Sequence, residues 1–185
     1  MTDEGEARAL LEAATRPESR RAGIDARVAL AEARREIRDL IMVYGYLEDA
    51  RRWDDMLALY TDDIERVLAG SLVETVRGKA ELRARLVDPV MEARSGVAAA
   101  AREQVEQLGL RHLMFGEVIQ VADDGESATA TLQYILVATR DDADGHRRGS
   151  HEGSYVFDFR RVDGAWRFSR QLIVTNNAHN PMFRA

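Results

Sequence analysis

Ala128-Thr129-Ala130-Thr131-Leu132-Gln133-Tyr134-Ile135-Leu136-Val137-Ala138-Thr139 is the stretch whose period decides the fold. Ala128, Ala130, Leu132, Tyr134, Leu136 and Ala138 share one face of an extended chain, while Thr129, Thr131, Gln133 and Thr139 share the other. That alternation describes a strand with one face on a core and one face toward water. The same period of two runs through residues 110–121, 154–162 and 166–175. Asp123-Asp124-Gly125, a charged loop through Gly145, and Asp163-Gly164 separate the four strands. Asp-Gly is the strongest of these turn signals, because both residues tolerate the positive φ of a two-residue hairpin. In the third strand Tyr155, Phe157 and Phe159 oppose Asp158 and Arg160. In the last, Trp166, Phe168, Leu172 and Val174 define an inner face on which Arg170 falls, and a guanidinium there needs a partner or a wet cavity.

Upstream the period changes. From Val28 onward Ile37, Leu40, Ile41, Tyr44 and Leu47 recur at three- and four-residue spacing, one stripe of a helix that ends near Asp49. A short second helix follows Trp53, with Asp54 as its expected N-cap and Met56, Leu57 and Tyr60 as its apolar side. Residues 64–68 and 72–76 read as short strands, and 78–86 as a third helix limited by Pro89. Residues 90–108, rich in Ala, Glu, Gln and Arg, read as an extra helix or a long lid, and periodicity does not separate the two. Residues 1–26 are polar and interrupted by Arg16-Pro17-Glu18-Ser19 and Gly23, so they read as an N-terminal arm before a single domain over 27–185. Helices followed by a meander of long strands give an α+β fold, a curved antiparallel sheet packed against N-terminal helices. A sheet of this size must curl to close its core.

Composition narrows the function. With 185 residues, 45% hydrophobic and 31% charged, the chain has the balance of one globular domain. Its longest apolar stretch lies within residues 40–47, far short of the roughly 20 residues that cross a bilayer. The acidic start, Met1-Thr2-Asp3-Glu4-Gly5-Glu6, is unlike a secretory signal, so a cytoplasmic home and no membrane partner are expected. The absence of cysteine excludes disulfides, thiolate catalysis and cysteine-bound metals. A net charge of −6, with arginines interleaved among acids, disfavours nucleic acid. No Gly-rich phosphate loop or nucleophile elbow is present. His146, His151 and Glu152 form a weak metal-like cluster in the charged loop, but Arg147 and Arg148 beside them favour a solvated hairpin, and no metal is expected.

Tyr44-Gly45-Tyr46-Leu47-Glu48-Asp49-Ala50-Arg51-Arg52-Trp53-Asp54, followed by Leu59-Tyr60-Thr61-Asp62-Asp63, resembles the first two helices of SnoaL-like proteins in the nuclear transport factor 2-like superfamily. Leu110-Arg111-His112-Leu113 and Asp163-Gly164-Ala165-Trp166-Arg167-Phe168-Ser169-Arg170 agree with it, so the likeness spans about residues 35–176. The resemblance implies a cone-shaped fold around an apolar pocket. Within that superfamily scytalone dehydratase, hexachlorocyclohexane dehydrochlorinase and bile-acid 7α-dehydratase carry an aspartate at the end of the first helix and a histidine on the sheet. Those positions match Asp49 and His112, and the tyrosine of the bile-acid enzyme matches Tyr44. The resemblance therefore implies catalytic His112, Asp49 and Tyr44, no cofactor, and a homodimer or homotrimer.

Such a set suits proton transfer. An imidazole exchanges protons near neutral pH, and a neighbouring carboxylate holds one tautomer and stabilises the imidazolium. Tyr44 or Tyr46 would donate to a developing enolate or a leaving group, and Arg170 would neutralise charge or simply pair with a helix carboxylate. Tyr46, Trp53, Tyr134, Phe157 and Arg170 are the expected substrate contacts. Both faces of the strand around His112 are apolar, so parity does not aim its ring. Asp49 reads equally as a solvated helix end. The expected activity is a lyase or isomerase acting on a hydrophobic polycyclic or aromatic molecule. The alternatives are a non-catalytic β-type subunit of an aromatic-ring-hydroxylating dioxygenase, which shares this fold, or a small-molecule binding module.

Overall fold

The computed structural model describes residues 23–69, 73–86, 108–142 and 145–176. Most of the N-terminal arm, residues 90–107 of the 90–108 segment, Pro89 and the tail with His179 lie outside the described residues, while Leu108 already belongs to a strand. Helix α1 (Ile24–Asp49) starts within the stretch read as the arm and ends where the apolar stripe does. Its buried residues Ala33, Ile37, Ile41, Tyr44 and Gly45 fall on one side, as a helical period requires. Helix α2 (Trp53–Leu57) is a short turn whose N-cap is Arg52, without a side-chain cap. Asp54 is not the N-cap: it lies inside the first turn, and its carboxylate pairs with Arg83. Tyr60 begins strand β1 (Tyr60–Ala69) rather than continuing the helix. Strand β2 (Glu74–Arg77) and helix α3 (Lys79–Leu86) follow.

Four long strands complete the chain: β3 (Leu108–Val121), β4 (Ser127–Asp142), β5 (Gly145–Val162) and β6 (Ala165–Thr175). Together with β1 and β2 they make one six-stranded sheet in the order β2-β1-β6-β5-β4-β3. The sheet is mixed rather than wholly antiparallel, because β1 runs parallel to β6. It remains open, with β2 and β3 at its edges. Twist and bulges curve it instead of closing it. The stretch read as a charged loop is strand, since β4 and β5 stay paired from Ser127↔Arg160 to Asp142↔Gly145. Asp163 and Gly164, with φ of 50° and 78°, make the two-residue hairpin that Asp-Gly promised.

Helix α1 lies across the concave face, and the core fills the space between them. Along β5 the inward positions run Phe159, Phe157, Tyr155, Gly153 and His151, from apolar at the hairpin end to polar at the other. Phe168 packs with its ring centroid 4.9 Å from both Phe157 and Phe159, which are 6.1 Å from each other, and Tyr155 stacks on Phe157 at 5.0 Å. The interior is therefore packed at one end and lined by hydroxyls and imidazoles at the other. No helix among the described residues is long and apolar enough to cross a membrane.

A bulge in β6 overturns one expected parity. One step on β5, from Asp158 to Phe159, spans the two from Arg170 to Phe168, so Ser169 is the extra residue. Trp166 and Phe168 face the core as expected, but beyond the bulge Gln171 and Ile173 do so instead of Leu172 and Val174. Arg170 is turned to the outer face, where it pairs with Glu65 and Asp158.

Candidate active site

Helix α1 ends in a Schellman turn. Arg51 adopts φ of 54°, its N–H donates to the Glu48 carbonyl, and the Arg52 N–H donates to the Leu47 carbonyl at 2.8 Å. The turn leaves Glu48 and Asp49 as the last side chains of the helix, with no basic residue in that turn. Two acids at the negative end of a helix dipole are unfavourable unless something else holds them.

Strand β3 holds them. The His112 main-chain N–H reaches both Asp49 carboxylate oxygens at 3.1 Å, and the imidazole Nδ1 lies 2.7 Å from Asp49 Oδ1. A carboxylate only accepts, so Nδ1 carries a proton toward Asp49. Nε2 looks onto Glu48, whose Oε2 is 3.6 Å away. The imidazole is 4% exposed, which shields it from bulk water. Gly45 makes the approach of β3 to α1 workable: a Cβ there would sit 2.4 Å from Met114 Cε and 3.7 Å from His112 Cβ.

Around the dyad is a buried polar cluster. Tyr44 packs its ring 6.4 Å from the His112 ring, and its hydroxyl is buried. Burial, reinforced by Glu48, pushes the Tyr44 phenol well above its ordinary range, so it stays a donor at neutral pH. Burial and then Glu48 do the same to Tyr155. Arg66 projects inward from β1, and its nearest carboxylate is Glu48, with 3.9 Å from Arg66 Nη2 to Oε1. Burial works against the Arg66 charge, but the Tyr44, Glu48, Tyr60 and Tyr155 oxygens outweigh it, and the guanidinium is held protonated. On the far side His151 Nδ1 lies 3.4 Å from the Tyr134 hydroxyl, which also meets Thr175 Oγ1 at 3.1 Å. Burial, then the charge of His112, lowers the His151 pKa below 6.5. Among the described residues no three His, Cys, Asp or Glu side chains are grouped to hold a metal ion.

The family model of the SnoaL-like domain matches residues 29–171, most of the chain. The chain belongs to the SnoaL-like domain family. Three solved structures carry the same fold. A nuclear transport factor 2-like protein with a cystatin-like fold from Novosphingobium aromaticivorans is 23% identical, with 96% of this chain and 93% of that one covered, and a TM-score of 0.61. The β subunit of benzoate 1,2-dioxygenase from Burkholderia mallei is 17% identical over 76% and 89%, with a TM-score of 0.63. A type 2 hexachlorocyclohexane dehydrochlorinase is 15% identical over 81% and 89%, with a TM-score of 0.59. No curated protein matches the sequence.

Of the residues singled out in this SnoaL-like domain, the fold gathers Asp49, His112 and Tyr44 in one place, with Tyr134 nearby and Phe157 in the aromatic wall. Trp53 packs at the edge of the core, with its indole N–H buried and unpartnered. Tyr46 does not join them: it is 79% exposed, because two residues along a helix from Tyr44 is the opposite side. Arg170 does not join them either, as the β6 bulge dictates. His151 and Glu152, adjacent on β5, point to opposite faces and cannot share an ion; the side chain of His146 lies outside the described residues.

Glu48, Arg66 and Gln171 went unrecognised in the sequence, where Tyr155 was read only as an inward strand residue and His151 only as part of a weak metal-like cluster. Two left a signal: Glu48 is one helical turn beyond Tyr44, and Arg66 shares strand parity with Ile64 and Leu68. Gln171 left none, because nothing in the residue pattern marks the bulge that turns it inward.

Proposed function

We propose that this SnoaL-like domain is a cofactor-independent lyase or isomerase, of dehydratase or dehydrohalogenase type, acting on a hydrophobic polycyclic or aromatic molecule. The observation that carries this reading is the buried His112 imidazole clasped by Asp49 through Nδ1, with Nε2 turned toward Glu48. In an elimination Nε2 takes a proton from carbon, the C–H electron pair becomes the new C=C bond, and the adjacent carbon releases hydroxide or halide. Asp49 stabilises the imidazolium, which returns its proton to a departing hydroxide as water. Tyr44, kept protonated, donates to charge developing on oxygen. The apolar wall of Phe157, Phe168 and Tyr155 suits a ring system.

Fold likeness to a hexachlorocyclohexane dehydrochlorinase supports trying chloride release from hexachlorocyclohexane alongside water loss from polycyclic β-hydroxy ketones. With any compound the protein turns over, Asp49→Asn and His112→Gln lower the rate about 10²- to 10⁴-fold while the thermal transition persists. An unchanged rate in either variant sinks the mechanism.

The likeness to a dioxygenase β subunit favours a second reading, a structural partner of a separate catalytic subunit. Co-purification with such a subunit and no turnover of either substrate class would establish it. The homo-oligomer, dimer or trimer, belongs to the first reading and is tested by sedimentation of the purified chain.

A further inference from the structure

Arg66 and Gln171 stand side by side on neighbouring strands: they are register partners in the parallel β1–β6 ladder and both project to the core. Arg66 is 8% exposed and Gln171 0%. Buried polar groups are nearly always hydrogen-bonded, yet Arg66 Nε and Gln171 Nε2 have no partner. Tyr60 donates to Gln171 Oε1 at 3.3 Å, which leaves the amide NH₂ of Gln171 as the free end. The contact of Arg66 with Glu48, at 3.9 Å, is too long to occupy the guanidinium as a close charge-assisted bond would. Two unspent donors on one row need an acceptor; Glu48, itself buried with Oε2 unpartnered, stays 3.9 Å from the guanidinium, beyond hydrogen-bond distance.

We propose that Arg66 and Gln171 form an oxygen anchor that receives a neutral carbonyl oxygen of the substrate. This deepens the proton-transfer reading above and rests on it for the chemistry. Charge selects the acceptor. Arg66 and Glu48 already bring one buried charge of each sign, and a permanent carboxylate on the ligand would add a further anion beside Glu48 and Asp49. A carbonyl brings an acceptor without a charge. Its position fits the base, because the single carboxylate of Glu48 lies between His112 Nε2 and Arg66.

When His112 removes the proton from the carbon next to that carbonyl, the C–H pair forms a C=C bond and the carbonyl π pair moves onto the anchored oxygen, where the guanidinium and amide meet the enolate charge. Collapse of the enolate restores the C=O and expels hydroxide from the β carbon, which leaves as water with the proton returned by the imidazolium. The substrate class that fits the anchor is therefore an enolisable β-hydroxy ketone on a ring system, rather than a halogenated hydrocarbon without oxygen.

The test uses two inert probes, 2-naphthol, whose oxygen sits on an sp² ring carbon as in an enolate, and 2-methylnaphthalene, which has the same body and no oxygen. The full-length chain should bind 2-naphthol saturably and at least about tenfold more tightly than 2-methylnaphthalene. Arg66→Met and Gln171→Glu, the second keeping the Tyr60 contact while replacing the donor by an acceptor, should erase that preference and leave affinity for 2-methylnaphthalene within about twofold. In ¹⁵N-labelled wild-type protein the Arg66 Nε–H and Gln171 amide signals should move on adding 2-naphthol. Absence of saturable binding, a wild-type chain without the preference, variants that retain it, or unmoved signals each overturn the anchor, and the last needs no variant to fold. Because neither probe reacts, an intact anchor in a chain that fails every elimination assay removes only the lyase reading, and the reverse result removes only the anchor.

Discussion

Two histidines face the same interior, and their surroundings separate their roles. His112 is tied to Asp49, whereas His151 lies against the Tyr134 hydroxyl and has its pKa lowered by burial and by His112. The folded state thus resists protonating His151 more than the unfolded chain does. Its contribution to stability is complete above about pH 6.5 and declines as the pH falls through the lowered value. Thermal melts at about pH 7.5 and about pH 5 should therefore show a smaller acid-induced drop for His151→Asn than for wild type, and the His151 ring protons should titrate by NMR with a midpoint below 6.5. Arg170 gives the opposite kind of prediction. Its pairs with Glu65 and Asp158 are partly solvated on the outer face, where such pairs contribute about 0–1 kcal/mol. Arg170→Ala should lower stability by less than about 1 kcal/mol in urea titrations and leave 2-naphthol affinity as it is.

The elements meet closely at glycines. In β5, a Cβ at Gly153 would fall 1.9 Å from the Val174 carbonyl oxygen and 2.9 Å from Tyr134 Cε1. The obstruction is backbone on one side and a packed ring on the other, so neither can give way cheaply. Gly153→Ala should cost about 3 kcal/mol in denaturant unfolding and disturb the Tyr134–His151 contact. Gly45 differs although a Cβ there would also meet a close neighbour, because the obstructing atom is the end of the flexible Met114 side chain. In α1 that glycine gives up about 1 kcal/mol of helix propensity relative to alanine, and in exchange the strand bearing His112 comes within reach of Asp49. The acidic last turn of α1 is a second local cost, offset by the three contacts from His112 to Asp49. Both costs fall where the chemistry is proposed, as expected when local rules yield to a site.

The whole molecule divides along the inner face of its sheet. Phe157, Phe159, Phe168 and Trp166 fill the end near the Asp163-Gly164 hairpin, and Tyr155, Tyr134, His112 and His151 line the other. The packed core and the proposed chemistry thereby fall at different ends, with Phe157 between them in contact with Tyr44, Tyr155 and Phe168 rings. Phe157→Ala should remove about 3–5 kcal/mol, measured by urea unfolding, because the surrounding rings cannot collapse fully into the space. Solved structures of low identity to this chain keep the same shape under different names, as expected of a fold that hosts unrelated tasks.

Strand period, helix stripe and the Asp-Gly hairpin depend on neighbours a few residues apart, and these the amino-acid order determined by itself: α1 ends at Asp49, β4 and the Tyr155, Phe157 and Phe159 face of β5 point as their alternation says, and Asp163-Gly164 turns as its residues allow. Asp49, His112 and Tyr44 were legible only through family likeness, since no local rule aims an imidazole on a strand apolar on both faces. The bulge at Ser169, the continuation of β4 and β5 past the expected loop, and the parallel seating of β1 on β6 are set by partners distant in sequence. Only the tertiary structure therefore decided that Arg170 faces water and that Gln171 turns inward beside Arg66, because one extra residue reverses every side chain beyond it and its place depends on the strands on either side.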